Sequence, residues 1–301
     1  AETWYRRIIM PDTRGGMLSC WAFFFTVVTS LADAKMPGRQ PPVLGWNTWC
    51  TQNECGKDWC SESEVLSVGQ TMKDTGLLGA GYNYLNLDDC WGLRDAQTGH
   101  IQADPVRFPR GMKNFVDDVH ALGFKVGVYT DMGVHGCHHP YTGSWPYYHQ
   151  DARDFAGWGI DYVKFDYCGP PAGYTPAGLT ANFSMALESS GRPIWLNFHC
   201  NWLTFEDDRC AQLGNSFRIA PDHVDAWYST IKTSKALINR KPWWGPGAYP
   251  DPDFVFTAGE GCGIHSSPGK RCPGQSKAEY RSEFYLNAMA SGQILFASDP
   301  R

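Results

Sequence analysis

Seven aspartates close β-rich runs of this chain: Asp88, Asp89, Asp131, Asp166, Asp222, Asp253 and Asp299. In the run Asp161–Asp166, Tyr162, Lys164 and Asp166 alternate with Val163 and Phe165, so the three polar residues share one face of a strand. A lysine two residues before a carboxylate on that face favours the ionised form, as a nucleophile needs. The same parity groups Tyr84, Asn86 and Asp88, and again Gly127, Tyr129 and Asp131. Several carboxylates and one cation at a common mouth suit hydrolysis of a glycosidic bond. One carboxylate attacks or activates water, and another protonates the leaving oxygen. A divalent metal held by oxygens is the chemical rival. Each aspartate alone could be a helix N-cap, but Ser, Thr or Asn would cap equally well, so capping accounts poorly for an all-aspartate set.

Such a site needs strands that end together. Eight apolar or β-rich runs alternate with helical stretches: Val43–Trp49, Tyr82–Asp89, Lys125–Asp131, Asp161–Asp166, Pro193–Cys200, Ser216–Asp222, Pro242–Asp253 and Ile294–Asp299. That alternation predicts an α/β fold, the (β/α)8 TIM barrel, whose reactive groups gather at the carboxyl ends of its strands. Ser61 and Glu64 form a capping-box pattern, and Thr175-Pro176 places a cap before an N1 proline. Met112, Phe115, Val116 and Val119 predict one buried helix face, and Val224, Trp227, Ile231 and Ile238 another. Between the fifth and sixth runs, 201–215 is short and polar, a weak helix at best.

Composition narrows the partner. With 26 basic and 31 acidic residues, a net charge of −5 and no run of like charge, nothing favours nucleic acid or an anionic membrane. A small neutral ligand fits better, and 13 Trp supply broad rings of the kind that line sugar pockets. Leu18–Val28 is an apolar run preceded by Arg14 and followed by Ala32-Asp33-Ala34, the order of a secretory signal. A membrane span needs about 20 apolar residues, so no span is expected once this signal is removed. Residues 1–34 are therefore read as upstream residues and signal, and 35–301 as one catalytic barrel. The destination is secretion or the lumen of a lysosome or vacuole. Removing Cys20 leaves an even ten cysteines, as an oxidised framework requires. His135-Gly136-Cys137-His138-His139 lacks the ligand spacing of a zinc site. Asn182-Phe183-Ser184 is a glycosylation sequon, which suits a secreted glycoprotein. Nothing in the sequence speaks to oligomeric state.

The motifs GWNTWC (45–50), YLNLDDCW (84–91), IQADPVRFPRGMK (101–113), GFKVGVYTDMG (123–133), GIDYVKFDYC (159–168) and PGAYPDPDF (246–254) resemble, in order, those of glycoside hydrolase family 27. These are the α-galactosidases and α-N-acetylgalactosaminidases, or melibiases. The resemblance implies a retaining hydrolase of terminal α-D-galactosyl residues, with no metal and no cofactor. Asp166 would be the nucleophile and Asp222, four residues after Arg218, the acid/base. Asp88 and Asp89 would hold the sugar's 4- and 6-hydroxyls, Lys164 the 3- and 4-hydroxyls, and Arg218 and Asp253 the region of the 2-hydroxyl. Trp49 and Tyr129 would be walls. It also implies disulfides Cys50–Cys90, Cys55–Cys60, Cys137–Cys168 and Cys200–Cys210, leaving Cys262–Cys272.

Departures bear on the sugar. Cys200-Asn201-Trp202-Leu203 stands where many members carry CEWG or CEWP; Asn201 resembles some fungal α-galactosidases and favours galactose. GAYPDPDF replaces GGWNDPDM, placing Pro250 and Phe254 near Asp253, and Pro221 restricts the residue before it. α-N-acetylgalactosaminide, β-L-arabinopyranoside and silent sugar binding are the alternatives. The match stops at ILFASDPR, before the last barrel helix and the C-terminal β-sandwich of the family. An open barrel with exposed apolar strand flanks, and poor stability, is therefore expected.

Overall fold

The structure is a computed structural model that describes residues 40–49, 59–138, 140–200, 210–239, 245–256 and 274–301. The leader run Leu18–Val28, Asn201, and Cys20, Cys50, Cys55, Cys262 and Cys272 lie outside the described residues.

In chain order the elements are β1 (Leu44–Asn47), α1 (Glu62–Asp74), β2 (Tyr84–Asn86), β3 (Gly92–Arg94), β4 (Ile101–Ala103), α2 (Gly111–Leu122), β5 (Lys125–Asp131) and α3 (Tyr148–Trp158). There follow β6 (Tyr162–Asp166), α4 (Pro176–Ser189), β7 (Trp195–His199), α5 (Cys210–Leu213), β8 (Ser216–Arg218), α6 (Trp227–Asn239), β9 (Tyr249–Asp251), α7 (Lys277–Met289) and β10 (Ile294–Phe296). β3 and β4 form a separate antiparallel hairpin. The other eight strands make one parallel sheet in the order β10-β1-β2-β5-β6-β7-β8-β9. Each of the eight expected runs contains one of these strands.

The sheet nearly closes, which corrects the expectation of an open barrel with exposed strand flanks. β10 pairs with β1 from Leu44↔Ile294 to Trp46↔Phe296. On its other side Val255 bridges Phe296, the Val255 amide donates to Leu295 O at 2.9 Å, and the Gln293 amide donates to Pro250 O at 3.2 Å. With partners on both sides, β10 buries Ile294, Leu295 and Phe296. Among the described residues no helix follows it.

Local chemistry explains most helix positions. Thr175 caps α4 by accepting from the Gly178 amide at 3.2 Å, and Pro176 opens the helix where no N–H is needed. The α2 face of Met112, Phe115, Val116 and Val119 is buried against the sheet, and the helix ends at Gly123 with φ +100°. Ser61 caps α1, accepting from the Glu64 amide at 3.4 Å, but the box is not reciprocal because the Glu64 carboxylate pairs with Arg301 instead. The complete box is Ser276 with Glu279 at the start of α7. On α6 the expected apolar face is wrong: Ile238 is 73% exposed, while Ser229, Thr230, Thr233 and Leu237 are buried. The reason is a polar seam, in which Ser229 meets His223 Nδ1 at 2.7 Å and Thr230 donates to Gln275 at 2.9 Å. Those bonds compensate the hydroxyls for lost water. Of the 201–215 segment, the described residues 210–215 contain the four-residue α5.

Two apolar clusters hold the fold. The larger lies between strands and helices, around Trp46, Trp91, Phe115, Phe155, Phe165, Phe183, Phe198 and Phe217. Each such ring contributes about 1.5–3 kcal/mol on burial. A smaller cluster inside the barrel holds Trp49, Tyr84, Tyr162, Trp195, Tyr249, Phe254 and Phe256. Beside it Asn197 donates to Asp251 at 2.8 Å and to Ser216 at 2.9 Å.

The structure joins Cys60 to Cys90, Cys137 to Cys168 and Cys200 to Cys210. The first replaces the implied Cys50–Cys90 and Cys55–Cys60, since a sulfur forms one such bond. Cys60 is fully buried just ahead of α1, with its Cα 6.2 Å from that of Cys90, within bridging distance.

Candidate active site

The carboxyl ends of β2, β5, β6, β7 and β8 and the turn after β9 converge. Lys164 and Asp166 project inward from β6 because alternation sends Val163 and Phe165 to the helix side. Lys164 Nζ lies 2.9 and 3.2 Å from the two Asp88 oxygens and 5.1 Å from the ring centroids of both Tyr129 and Phe254. Burial works against this ammonium, but Asp88 and Asp166 outweigh it and hold its pKa above the usual lysine value.

Asp166 has two unlike oxygens. Oδ1 accepts from the Tyr167 amide at 2.8 Å and lies 2.8 Å from His199 Nε2. Oδ2 faces the Cys137–Cys168 bridge, 3.6 Å from Cys137 Sγ. Burial pushes this carboxyl up, yet His199 and Lys164 more than offset it and hold the group well below the usual carboxylate range. Asp131, paired across β5 and β6 with Asp166, behaves oppositely. Burial and the Asp166 charge push it up to about 7, despite amide donors Gly133 at 2.7 Å and Cys168 at 2.6 Å.

Arg218, at the end of β8, holds two further carboxylates of the site. Its Nη2 donates to Asp222 at 2.9 Å and to Asp253 at 3.0 Å. Burial raises Asp222, but Arg218 overrides that and leaves it below the ordinary value. Asp253, more deeply buried, is pushed up to about 6 by desolvation, which Arg218 only partly offsets. Asp253 has φ +82°, a left-handed conformation costing of order 1–3 kcal/mol for such a residue. Its amide donates to Asp251 at 2.8 Å and its Oδ2 accepts from the His223 amide at 2.6 Å, so both sides of the turn are held.

Asp89 completes the mouth. Its Oδ2 accepts from the His138 amide at 2.6 Å, and its buried Oδ1 has no hydrogen-bond partner among the described residues. Burial raises this carboxyl.

One cavity is lined by Trp49, Asp88, Asp89, Tyr129, Cys137, His138, Lys164, Asp166, Arg218, Asp222, Asp253 and Phe254. Every sequence-derived site residue that the structure describes is among them; Asn201 is the one outside the described residues. Of the wider acidic set, Asp131 and Asp299 are not in the lining, and Asp299 pairs with Arg301 at 3.0 Å. Sequence reasoning missed His199 and His138. Parity along Trp195, Asn197 and His199, the rule applied to Lys164 and Asp166, would have found the first. His138 arrives on a loop and carries no local signal.

Asp131, Cys137, Asp166 and Cys168 bring four ligand-type atoms within 4.8 Å of one another. Both thiols are spent in their mutual disulfide, which leaves two carboxylates, fewer oxygens than a hard cation takes.

The family described as Alpha galactosidase A matches residues 41–267. An alpha-galactosidase of Cyamopsis tetragonoloba is 36% identical over 265 residues, covering 87% of this chain and 60% of that protein. The structure of alpha-galactosidase I from Mortierella vinacea superposes with a TM-score of 0.69 at 27% identity, covering 86% of this chain and 67% of that one. The alpha-galactosidase of Saccharomyces cerevisiae, solved with raffinose, shares the fold with a TM-score of 0.71 at 24% identity, covering 86% and 59%. The chain spans about three fifths of the length of the curated relatives it matches.

Proposed function

This chain belongs to the α-galactosidase (melibiase) family, glycoside hydrolase family 27, and we propose that it is a retaining hydrolase of terminal α-D-galactosyl residues. The observation that carries the reading is that Asp166 and Asp222 line one cavity, Asp222 hydrogen-bonded to Arg218 and Asp166 held ionised by His199 and Lys164.

Asp166 is held in its ionised form, with Oδ2 unencumbered by donors among the described residues, and so is the group to attack the anomeric carbon. As its lone pair forms the C1–Oδ2 bond, the C1–O bond to the leaving group breaks. The departing oxygen keeps that electron pair and takes the proton of Asp222. Water then adds to C1, giving its proton to Asp222, and the C1–Oδ2 pair returns to Asp166. The charge of Asp166 raises the pKa of Asp222, so Asp222 holds its proton better before attack. Esterification removes that charge while Arg218 remains, which turns Asp222 into the base the second step needs. Asp88 with Lys164, and the free Oδ1 of Asp89, offer acceptors and a donor for sugar hydroxyls. Trp49, Tyr129 and Phe254 supply apolar faces.

Three disulfides suit an oxidising compartment, and with the Leu18–Val28 pattern they support secretion or delivery to a lysosomal or vacuolar lumen. Among the described residues no helix is long and apolar enough to cross a membrane.

The test is hydrolysis of an aryl α-D-galactoside beside its α-N-acetylgalactosaminide, β-L-arabinopyranoside and α-glucoside counterparts, by the wild type and Asp166→Asn. Galactoside turnover that vanishes in the variant is expected. Turnover of another sugar instead corrects the specificity, and binding of sugars without turnover by folded protein refutes the hydrolase.

A further inference from the structure

We propose that His199 is a positioning residue for Asp166: with the Tyr167 amide it holds Oδ1, so that Oδ2 alone is presented to the anomeric carbon. The inference rests on the reading of Asp166 as nucleophile, and it assigns the atom that attacks and the group that selects it.

Four observations carry it. His199 is the last residue of β7, neighbouring Asp166 on β6, and its Nε2 comes to 2.8 Å from Oδ1. The side chain is 6% exposed, so water does not take the place of that contact. Both ring nitrogens lack a properly aligned hydrogen bond among the described residues, and an imidazole is costly to bury without one. Its approach to Oδ1 is close but bent; such contacts commonly straighten only when substrate completes the site. Finally, among the described residues Oδ2 meets no amide, hydroxyl or cation donor, only the bridged sulfur of Cys137.

A carboxylate free to rotate would offer either oxygen along many directions. Two donors on Oδ1 remove that freedom, and in the glycosyl-enzyme the same two face the ester carbonyl oxygen while Oδ2 carries the sugar. No proton leaves His199 in either step. Asp166 is also faced by Asp131 and Tyr129 from β5, by Lys164 on its own strand and by Asp222 in the same cavity. Of these only Lys164 is cationic, and it lies against Asp88, so His199 is the neighbour whose loss moves Asp166 most.

The experiment uses His199→Leu and His199→Gln in the full-length protein, with an aryl α-D-galactoside as substrate and 5-fluoro-α-D-galactopyranosyl fluoride as trapping probe. Leu keeps the apolar volume without a donor; the Gln amide nitrogen can stand near the Nε2 position. For His199→Leu, kcat should fall by about tenfold to 10²-fold, the cost of a misplaced reacting group, with KM changed less than about threefold. The acidic limb of kcat/KM against pH should move up by about one pH unit or more as Asp166 loses a favourable neighbour. His199→Gln should recover most of kcat. A Leu variant that folds like the wild type, by circular dichroism and melting temperature, with unchanged kcat and acidic limb overturns the proposal. So does a loss of kcat that Gln does not recover, or one without movement of the acidic limb. Mass spectrometry of the trapped wild type separates the two claims. An adduct on a residue other than Asp166 removes the underlying reading, whereas an adduct on Asp166 with an indifferent His199→Leu removes only this inference.

Discussion

Arg94→Ala is expected to destabilise the protein strongly and in a pH-dependent way. Arg94, on β3, makes a bidentate pair with Asp151 on α3, at 2.5 and 2.8 Å, and also donates to Gly99 O at 3.1 Å and Gly143 O at 2.6 Å. Asp151 has a side-chain exposure of 0% and Arg94 of 17%. Removing one partner of such a pair costs about 3–5 kcal/mol, because the other charge stays buried. Burial already raises the Asp151 carboxyl, with Arg94 holding it down. Without Arg94 its folded pKa climbs further above the unfolded value. A raised folded pKa gives stability that is present at low pH and lost as pH rises, at about 1.4 kcal/mol per unit. The excess loss therefore accrues between the present folded pKa of Asp151 and its new one. Urea unfolding followed by tryptophan fluorescence should show about 3–5 kcal/mol lost at pH 7.5 and about 1–2 kcal/mol at pH 4.5, where mainly hydrogen bonds are missing. Adding Asp151→Asn should return at least half of the loss at pH 7.5. A loss under about 1 kcal/mol at pH 7.5, or an equal loss at both pH values, refutes the argument.

Asp222→Ala should lower kcat/KM by about 10²–10⁴-fold for an alkyl galactoside, which needs a proton on its leaving oxygen. A nitrophenyl galactoside should suffer less; equal losses on the two substrates would remove Asp222 from the acid role. Gly136→Ala should raise KM, since a Cβ there would stand 2.3 Å from Asp89 Oδ1, which His138 keeps from moving aside; an unchanged KM means that Asp89 yields. Productive free enzyme needs ionised Asp166 and protonated Asp222. Both are held below the usual carboxylate value, so kcat/KM should fall on raising pH through the Asp222 pKa and peak on the acid side of neutrality. A maximum above pH 7 in buffered aryl-galactoside assays contradicts this assignment.

Much of the site was legible because strands have a period of two. Parity alone put Tyr162, Lys164 and Asp166 on one face, and the parallel barrel brought that face to a common mouth with Asp88 and Tyr129. Family motifs then singled out Asp222 and Asp253, whose contact with Arg218 the structure displays. Helix caps were legible where they depend on neighbours within three or four residues, as at Thr175. The full box expected at Ser61 failed because Arg301, 237 residues away, takes the Glu64 carboxylate.

What the sequence alone determined is therefore what short-range geometry controls: strand faces, the α2 stripe, the alternation that makes a barrel, and the order of the motifs. What only the tertiary structure decided are the pairings between distant segments. These are Cys60 rather than Cys50 with Cys90, β10 closing against β1 and Val255, the polar inner face of α6, and His199 against Oδ1 of Asp166. Residue type and spacing leave those choices open, because any of several distant groups has suitable chemistry. The packed chain settles them by bringing one of these groups within bonding distance.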